Sequence, residues 1–287
     1  MKKLLHLRNK NYVHQFSHQI NYTLAMKYFK WILLQVTLLV TAPILAQQKT
    51  VTLDYFFNNE YKKNLDGTME RFHYTWEDSS MNGYSIWAAL FKINRVITNR
   101  LETAPTPMAL KGTSIYIITD PDTQKESPSP NYMNDEHVKV IAEWVKQGGV
   151  LVLMANDSAN AELPNFNKLA KAFGIHFTDK VRNSVIKDIS VGKIIVPNNN
   201  EIFKTAKVLY LKGISTLSVE SPAKAIIEDK GDIIMATAQY GKGTVFAVGD
   251  PWIYNEYIVN DRLSPEFQNG KAAQELTEWL IKKSIPR

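Results

Sequence analysis

Two uninterrupted apolar runs, SIYIIT at residues 114–119 and VLVLM at 150–154, constrain the fold of this chain more than any other feature. Each is too short to cross a bilayer, and neither alternates apolar with polar residues as a strand with one wet face would. Such a run is a strand covered on both faces, and strands of that kind belong to parallel sheets flanked by helices. The residues between the runs supply a helix. After the Pro-rich ESPSPNYM, Asn134 is placed to cap a helix with Val138, Ile141 and Val145 on its apolar face, and Gly148-Gly149 ends it.

The rest of the chain repeats the theme. TVTLDYFFN (50–58) is rich in β-branched and aromatic residues and reads as a strand. Ile86, Leu90, Ile93 and Ile97 recur at helical spacing. A further helix follows Pro164, with Leu169 and Phe173 on one face and Gly174 at its stop. DIIMATAQ and TVFAVGD flank YGKG and read as a late hairpin, and the closing helix carries Ala273, Leu276 and Leu280. Helices alternating with apolar strands predict an α/β fold: a mostly parallel sheet flanked by helices, with a late antiparallel hairpin. No repeat or linker interrupts residues 47–287, which read as a single domain.

The first 46 residues read differently. From Met26, the start on this reading, Lys27 and Lys30 form a basic stretch and Trp31 to Val40 an apolar one, with a small-residue cleavage site ending at Ala46. That is the pattern of a secretory signal peptide, so the expectation is an exported, periplasmic protein with no membrane segment after cleavage. No cysteine follows to carry a lipid anchor, and the chain has none at all, which excludes thiol chemistry. Of the 34 basic residues, six fall within residues 1–46, and of the 28 acidic residues none does. The remainder is formally neutral, with 28 of each, and nothing drives it towards nucleic acid.

Three strands end in acidic, Asn-rich or Pro-containing loops: Asp120-Pro121-Asp122, Asn156-Asp157 and Gly249-Asp250-Pro251-Trp252. In open parallel sheets the ligand crevice lies beyond the carboxyl ends of the strands, so these loops share an edge. FHYTWED (72–78), which follows the first strand after a short excursion, is able to reach the same edge. His73, beside Tyr74 and Glu77, is the candidate proton-transfer group. His137, in a first helical turn, and His176, in a strand, read as structural or solvated. Asp120 and Asp157 are equally turn or cap formers, and Trp76 and Trp252 serve as rim packing as readily as sugar platforms. No histidine pair has ligand spacing, no acidic loop is dense enough for calcium, and no G-x-S-x-G elbow, P-loop or dinucleotide fingerprint is present. The reading therefore calls for neither metal nor cofactor.

Two blocks, TDPD…HVKVIAEWVKQGGVLVLMAND and AQYGKGTVFAVGDPWIYNEY, resemble the class I glutamine-amidotransferase-like fold, flavodoxin-like in plan. The cysteine nucleophile of true amidotransferases is missing, so that activity is excluded. A narrower resemblance spans nearly all of residues 47–287. LDYFFNNE, FHYTWED, IYIITDPDT, PNYM, LVLMANDSANAELPNFNKLA and VGDPWIYNEY are similar to a module of pectin- and ulvan-degrading bacteria associated with unsaturated uronyl (rhamnogalacturonyl) hydrolases. Within it the ulvan oligosaccharide dehydratases are the match. The resemblance implies removal of water from a saturated, non-reducing-end uronate, leaving a 4,5-unsaturated residue for the hydrolase. The partner it implies is an anionic oligosaccharide.

That chemistry needs a base for the C5 proton, donors for the carboxylate as charge builds on it, and an acid for the C4 hydroxyl. His73, Tyr74 and Tyr254 suit base and acid, without a choice between them. Asn156, Asn255, Lys125 and Arg182 are the candidate carboxylate donors, and Arg182 is equally a surface charge on a strand end. Glu77, Asp120, Asp122, Asp157 and Asp250 would orient the histidine or bind sugar hydroxyls, and Trp76 and Trp252 would cover sugar faces. A non-catalytic carbohydrate-binding module and a carbohydrate hydrolase or esterase remain the alternatives.

Overall fold

In the computed structural model, residues 26–27, 48–259 and 262–287 are described. The chain divides between Ala46 and Gln47 into two units, and the architecture below is that of the second. The signal-peptide stretch from Trp31 to Ala46 lies outside the described residues. Among those described, no helix is long and apolar enough to cross a membrane.

The centre is a nine-stranded sheet. In chain order the elements are β1 (Thr50–Asp54), β2 (Tyr61–Lys63), β3 (Met69–Arg71), α1 (Ser85–Ile93), β4 (Ile97–Leu101), β5 (Ile115–Thr119), α2 (Asp135–Lys146), β6 (Val150–Met154), α3 (Leu163–Lys171) and β7 (Ile175–Arg182). Then follow β8 (Lys193–Ile195), β9 (Val208–Tyr210), β10 (Ile214–Val219), β11 (Ala223–Asp229), β12 (Asp232–Tyr240), β13 (Gly243–Val248), α4 (Asn255–Ile258) and α5 (Asn269–Lys283). Strands β4, β1, β5, β6 and β13 run parallel in that spatial order. Beyond β13 the sheet turns antiparallel through β12, β10 and β7, with β11 also on β12. The fold is thus α/β with a mixed, mainly parallel sheet and antiparallel C-terminal strands. The antiparallel part is larger than the single late hairpin expected, because β7, β10 and β11 lack the long apolar runs that mark the parallel strands.

The two apolar runs behave as their composition requires. Ile115, Ile117, Val150, Val152 and Met154 face a core shared with α1 and α5, whereas Tyr116, Ile118, Leu151 and Leu153 face one shared with α2 and α3. All are buried, each worth about 1.5–3 kcal/mol of transfer free energy for a Val- or Leu-sized side chain. Asn134 caps α2 by accepting from the His137 backbone N–H at 2.9 Å, and the His137 ring closes a reciprocal capping box. Asp54 ends β1 early, at residue 54 rather than 58, because its Oδ1 accepts from the backbone N–H groups of Phe56 (3.1 Å) and Phe57 (2.6 Å).

Helix α1 buries a face other than the one its isoleucines suggest. Trp87, Ala88 and Phe91 pack inward with Tyr84, Ile86 and Leu90 are half-buried, and Ile93 is exposed. Ile97 is not helical at all. Arg95 adopts a left-handed backbone (φ 60°), ends the helix and turns the chain into β4, which pairs with β1 from Thr50↔Ile97 to Asp54↔Leu101. At the opposite edge, the Asn167 side chain donates to the Phe177 carbonyl and accepts from its N–H, both at 2.8 Å, so part of edge strand β7 is closed to further pairing.

Candidate active site

Because β5, β6 and β13 are parallel, the loops after them open on one edge, as their sequences led us to expect. Gly249, the first residue after β13, is required by close approach: a Cβ there would lie 1.8 Å from the Ser215 carbonyl oxygen. Three non-glycine residues at this edge, His73 (φ 59°), Tyr74 (φ 50°) and Asp120 (φ 47°), hold left-handed backbone conformations. Such conformations persist only where surrounding contacts enforce them, and they concentrate at functional sites.

The edge carries a cleft of about 440 Å³. Its lining draws His73 and Tyr74 from the FHYTWED segment, Asp250, Pro251 and Tyr254 from the loop after β13, Asn156, Asp157 and Asn160 from the loop after β6, and Lys212 and Gly213 from the loop between β9 and β10. Val181, Ser184, Val185 and Ile186, from the end of β7 and the loop after it, and Asn82 complete the lining. The His73 Nδ1 lies 3.0 and 3.2 Å from the two carboxylate oxygens of Glu60, whose side chain is only 5% exposed. The rings of Tyr74 and Tyr254 are 5.9 Å apart, and those of Tyr254 and Tyr257 4.8 Å. The Lys212 backbone N–H donates to Asp250 Oδ2 at 2.8 Å, and its ammonium lies 5.5 Å over the Tyr257 ring.

Burial dominates the electrostatics. It pushes the Asp250 carboxyl up to about 7, against the pull of the Lys212 N–H and ammonium. Burial also raises both cleft phenols well above the ordinary tyrosine range, helped at Tyr74 by Asp120 and at Tyr254 by Asp250. Both therefore stay protonated at neutral pH. Outside the lining, the buried Asp120 is raised by burial and then by Glu126, and Asp122 by burial to about 7. Each leaves one buried carboxyl oxygen, Oδ1, with no hydrogen-bond partner among the described residues.

Of the fourteen residues singled out from the sequence, His73, Tyr74, Tyr254, Asn156, Asp157 and Asp250 line the cleft. Asp157 also forms a turn, its Oδ1 accepting from the Ala159 N–H and its Oδ2 from the Asn160 amide. Asp120 is buried and does not line the cleft, and Asn156, which does, donates to it at 3.4 Å. Asp122 is turned away to accept from the Asn59 N–H at 2.8 Å, and Lys125 is exposed with its ammonium near the Ala159 carbonyl.

The other five do structural work. Trp76 is buried in the core, its Nε1 donating to the Asn99 carbonyl at 2.8 Å. Trp252 is wholly buried against Phe203, so neither indole is a sugar platform. Glu77 points to a separate groove with Tyr61 and Arg71, accepting from the Tyr55 hydroxyl (2.6 Å) and Arg100 (2.9 Å). Arg182 is held by Asp229 and Asp232 at the turn joining β11 and β12. Asn255 is buried and ties the 78–86 segment to α4.

Glu60 and Lys212 are the site residues that sequence reasoning passed over. Neither follows an apolar run: Glu60 sits in an excursion before β2, and Lys212 in the loop between β9 and β10. An acid in the segment leading into FHYTWED was the one available signal for Glu60.

No family model and no curated protein matches this chain. Solved structures do. The N-terminal domain of mmIFT52 is 19% identical with a TM-score of 0.59, over 81% of this chain and 97% of that one. Cytoplasmic protein STM3548 from Salmonella typhimurium is 12% identical with a TM-score of 0.50, over 83% and 100%. Cytoplasmic protein STM1381 from Salmonella typhimurium LT2 is 14% identical with a TM-score of 0.50, over 84% and 100%. At these identities the likeness is one of fold, that of class I glutamine amidotransferase-like domains.

Proposed function

We propose that this protein is an oligosaccharide dehydratase that removes water from a saturated, non-reducing-end uronate of ulvan-type oligosaccharides. One observation carries the reading: a single cleft joins an imidazole braced by a buried carboxylate, two phenols held protonated, and an ammonium group. Those are the groups that a β-elimination next to a carboxylate requires.

Lys212 and Asn156, both of which line the cleft, bind the uronate carboxylate and stabilise it as it gains enolate character. With Nδ1 facing Glu60, His73 offers Nε2 as the base. The C5–H bond breaks with its proton passing to Nε2, and its electron pair becomes the C4–C5 double bond. The C4–O bond breaks with its pair going to oxygen. That oxygen takes the Tyr254 phenol proton and departs as water, and solvent restores both groups. Tyr254 is assigned as the acid because it reaches the cleft from the loop after β13, on a different segment from His73, whereas the Tyr74 ring is next to the imidazole at 5.5 Å. The neutral Asp250 carboxyl adds no negative charge where an anionic sugar must sit at mildly acidic pH. On this reading the product is the substrate of an unsaturated uronyl hydrolase, and the signal-peptide pattern supports a periplasmic location for the step.

The test is incubation with ulvan oligosaccharides bearing a saturated terminal uronate, followed by ultraviolet absorbance and product mass. Loss of one water with a new conjugated chromophore is the expected result. Binding at unchanged mass would make the protein a carbohydrate-binding module, and addition of water would make it a hydrolase; either overturns the proposal.

A further inference from the structure

The geometry points to Glu60 as the positioning residue that fixes the tautomer of His73. The inference rests on the reading of His73 as the base and adds to it a residue outside the cleft wall. Glu60 is 4% exposed, and both carboxylate oxygens lie within 3.2 Å of Nδ1. A carboxylate accepts and does not donate, so the neutral ring keeps its proton on Nδ1 and leaves the Nε2 lone pair free. Free imidazole side chains in water favour the other tautomer, in which Nε2 carries the proton and is unable to accept one. The left-handed backbone at His73 and Tyr74 and the Phe72 ring, 3.9 Å from the imidazole, restrict the ring to the face that Glu60 engages.

The surroundings explain why Glu60 serves this role. Asp120, Asp122, Glu126 and Tyr74 all lie near Glu60, and Glu126 also faces His73. Arg71 contributes the nearby fixed positive charge through Asp122. Burial, and after it the charge of neighbouring carboxyls, pushes Asp120, Asp122 and Glu126 towards their neutral forms. Glu60 alone among them contacts the imidazole.

The decisive experiment is nitrogen NMR of the His73 ring in wild type, Glu60→Ala and Glu60→Gln, alongside turnover of saturated uronate oligosaccharide. Wild type is expected to show the Nδ1-protonated neutral ring, and Glu60→Ala to convert it to the Nε2-protonated form. The same variant lowers kcat by about 100-fold or more, with KM changed less than about threefold, because the group acts on the base and not on binding. Glu60→Gln, which retains an acceptor without charge, recovers part of the lost kcat and keeps Nδ1 protonated. An Nε2-protonated ring in wild type, or a ring unaffected by Glu60→Ala, overturns the inference. Should Glu60→Ala fail to fold, a Glu60→Gln enzyme whose ring is Nε2-protonated while its kcat stays at the wild-type value overturns it equally. The spectra need no substrate, so failure of the dehydratase reading would appear as absent turnover with the tautomer shift intact.

Discussion

Replacing Asn255 with alanine separates a structural residue from a substrate ligand. Its Nδ2 donates to the Ser80 carbonyl (2.8 Å), the Asp78 carbonyl (3.2 Å) and the Ser85 hydroxyl (3.0 Å), while its Oδ1 accepts from the Ile86 N–H (3.0 Å). Two backbone bonds, Asn255 N–H to Gly83 O and Glu256 N–H to Met81 O, survive the substitution and keep the segment in place. The abandoned groups therefore stay largely shielded from water. At about 1 kcal/mol for each of four hydrogen bonds, less what entering water restores, the loss comes to about 3–4 kcal/mol. For a unit of this size that lowers Tm by about 6–16 °C. Urea denaturation followed by circular dichroism measures the change as a lower midpoint at constant slope. A loss below about 1 kcal/mol, with weakened oligosaccharide binding at unchanged stability, would refute this assignment and return Asn255 to the cleft.

Stability should fall as pH rises from about 4 to 7, because the Asp250 and Asp122 carboxyls, raised to about 7, bind protons in the folded state that the unfolded chain has already released. Asp250→Asn removes one such group while keeping an acceptor for the Lys212 N–H, so urea midpoints across this window should decline less steeply than in wild type. Arg182→Ala strands Asp229 and Asp232 and is expected to cost about 3 kcal/mol of stability while leaving substrate KM unchanged. Lys212→Met should lower kcat/KM for uronate oligosaccharides roughly 10- to 100-fold, the worth of one charge-assisted hydrogen bond, without loss of Tm.

The sheet was legible wherever a strand is covered on both faces. The runs at 114–119 and 150–154 declare themselves by composition, and Asn134, Gly148 and Gly174 punctuate the helices where the chain turns. Helix α1 misled because Trp87 and Phe91 bury more area than Ile86 and Ile93, so tertiary packing chose the aromatic stripe over the aliphatic one. Strand β4 was hidden for a related reason: only Leu101 in it is buried, and four of its five residues read as surface. Convergence of the loops at His73, Asn156 and Asp250 was visible because parallel strand order fixes which ends meet. The direction of individual side chains was not. Trp252 and Pro251 are neighbours, yet one is core and the other lines the cleft. Glu60 and Lys212 reach the site through excursions between strands, where no periodicity marks them.

The account depends on proton abstraction by the imidazole at position 73. The measurement that tests it most directly is the rate at which wild type and His73→Ala generate a 4,5-unsaturated terminus from a saturated uronate oligosaccharide, with both proteins shown to fold alike. A loss of roughly two to four orders of magnitude is predicted. Equal rates, or a wild-type protein that forms no double bond on any such substrate, would contradict it.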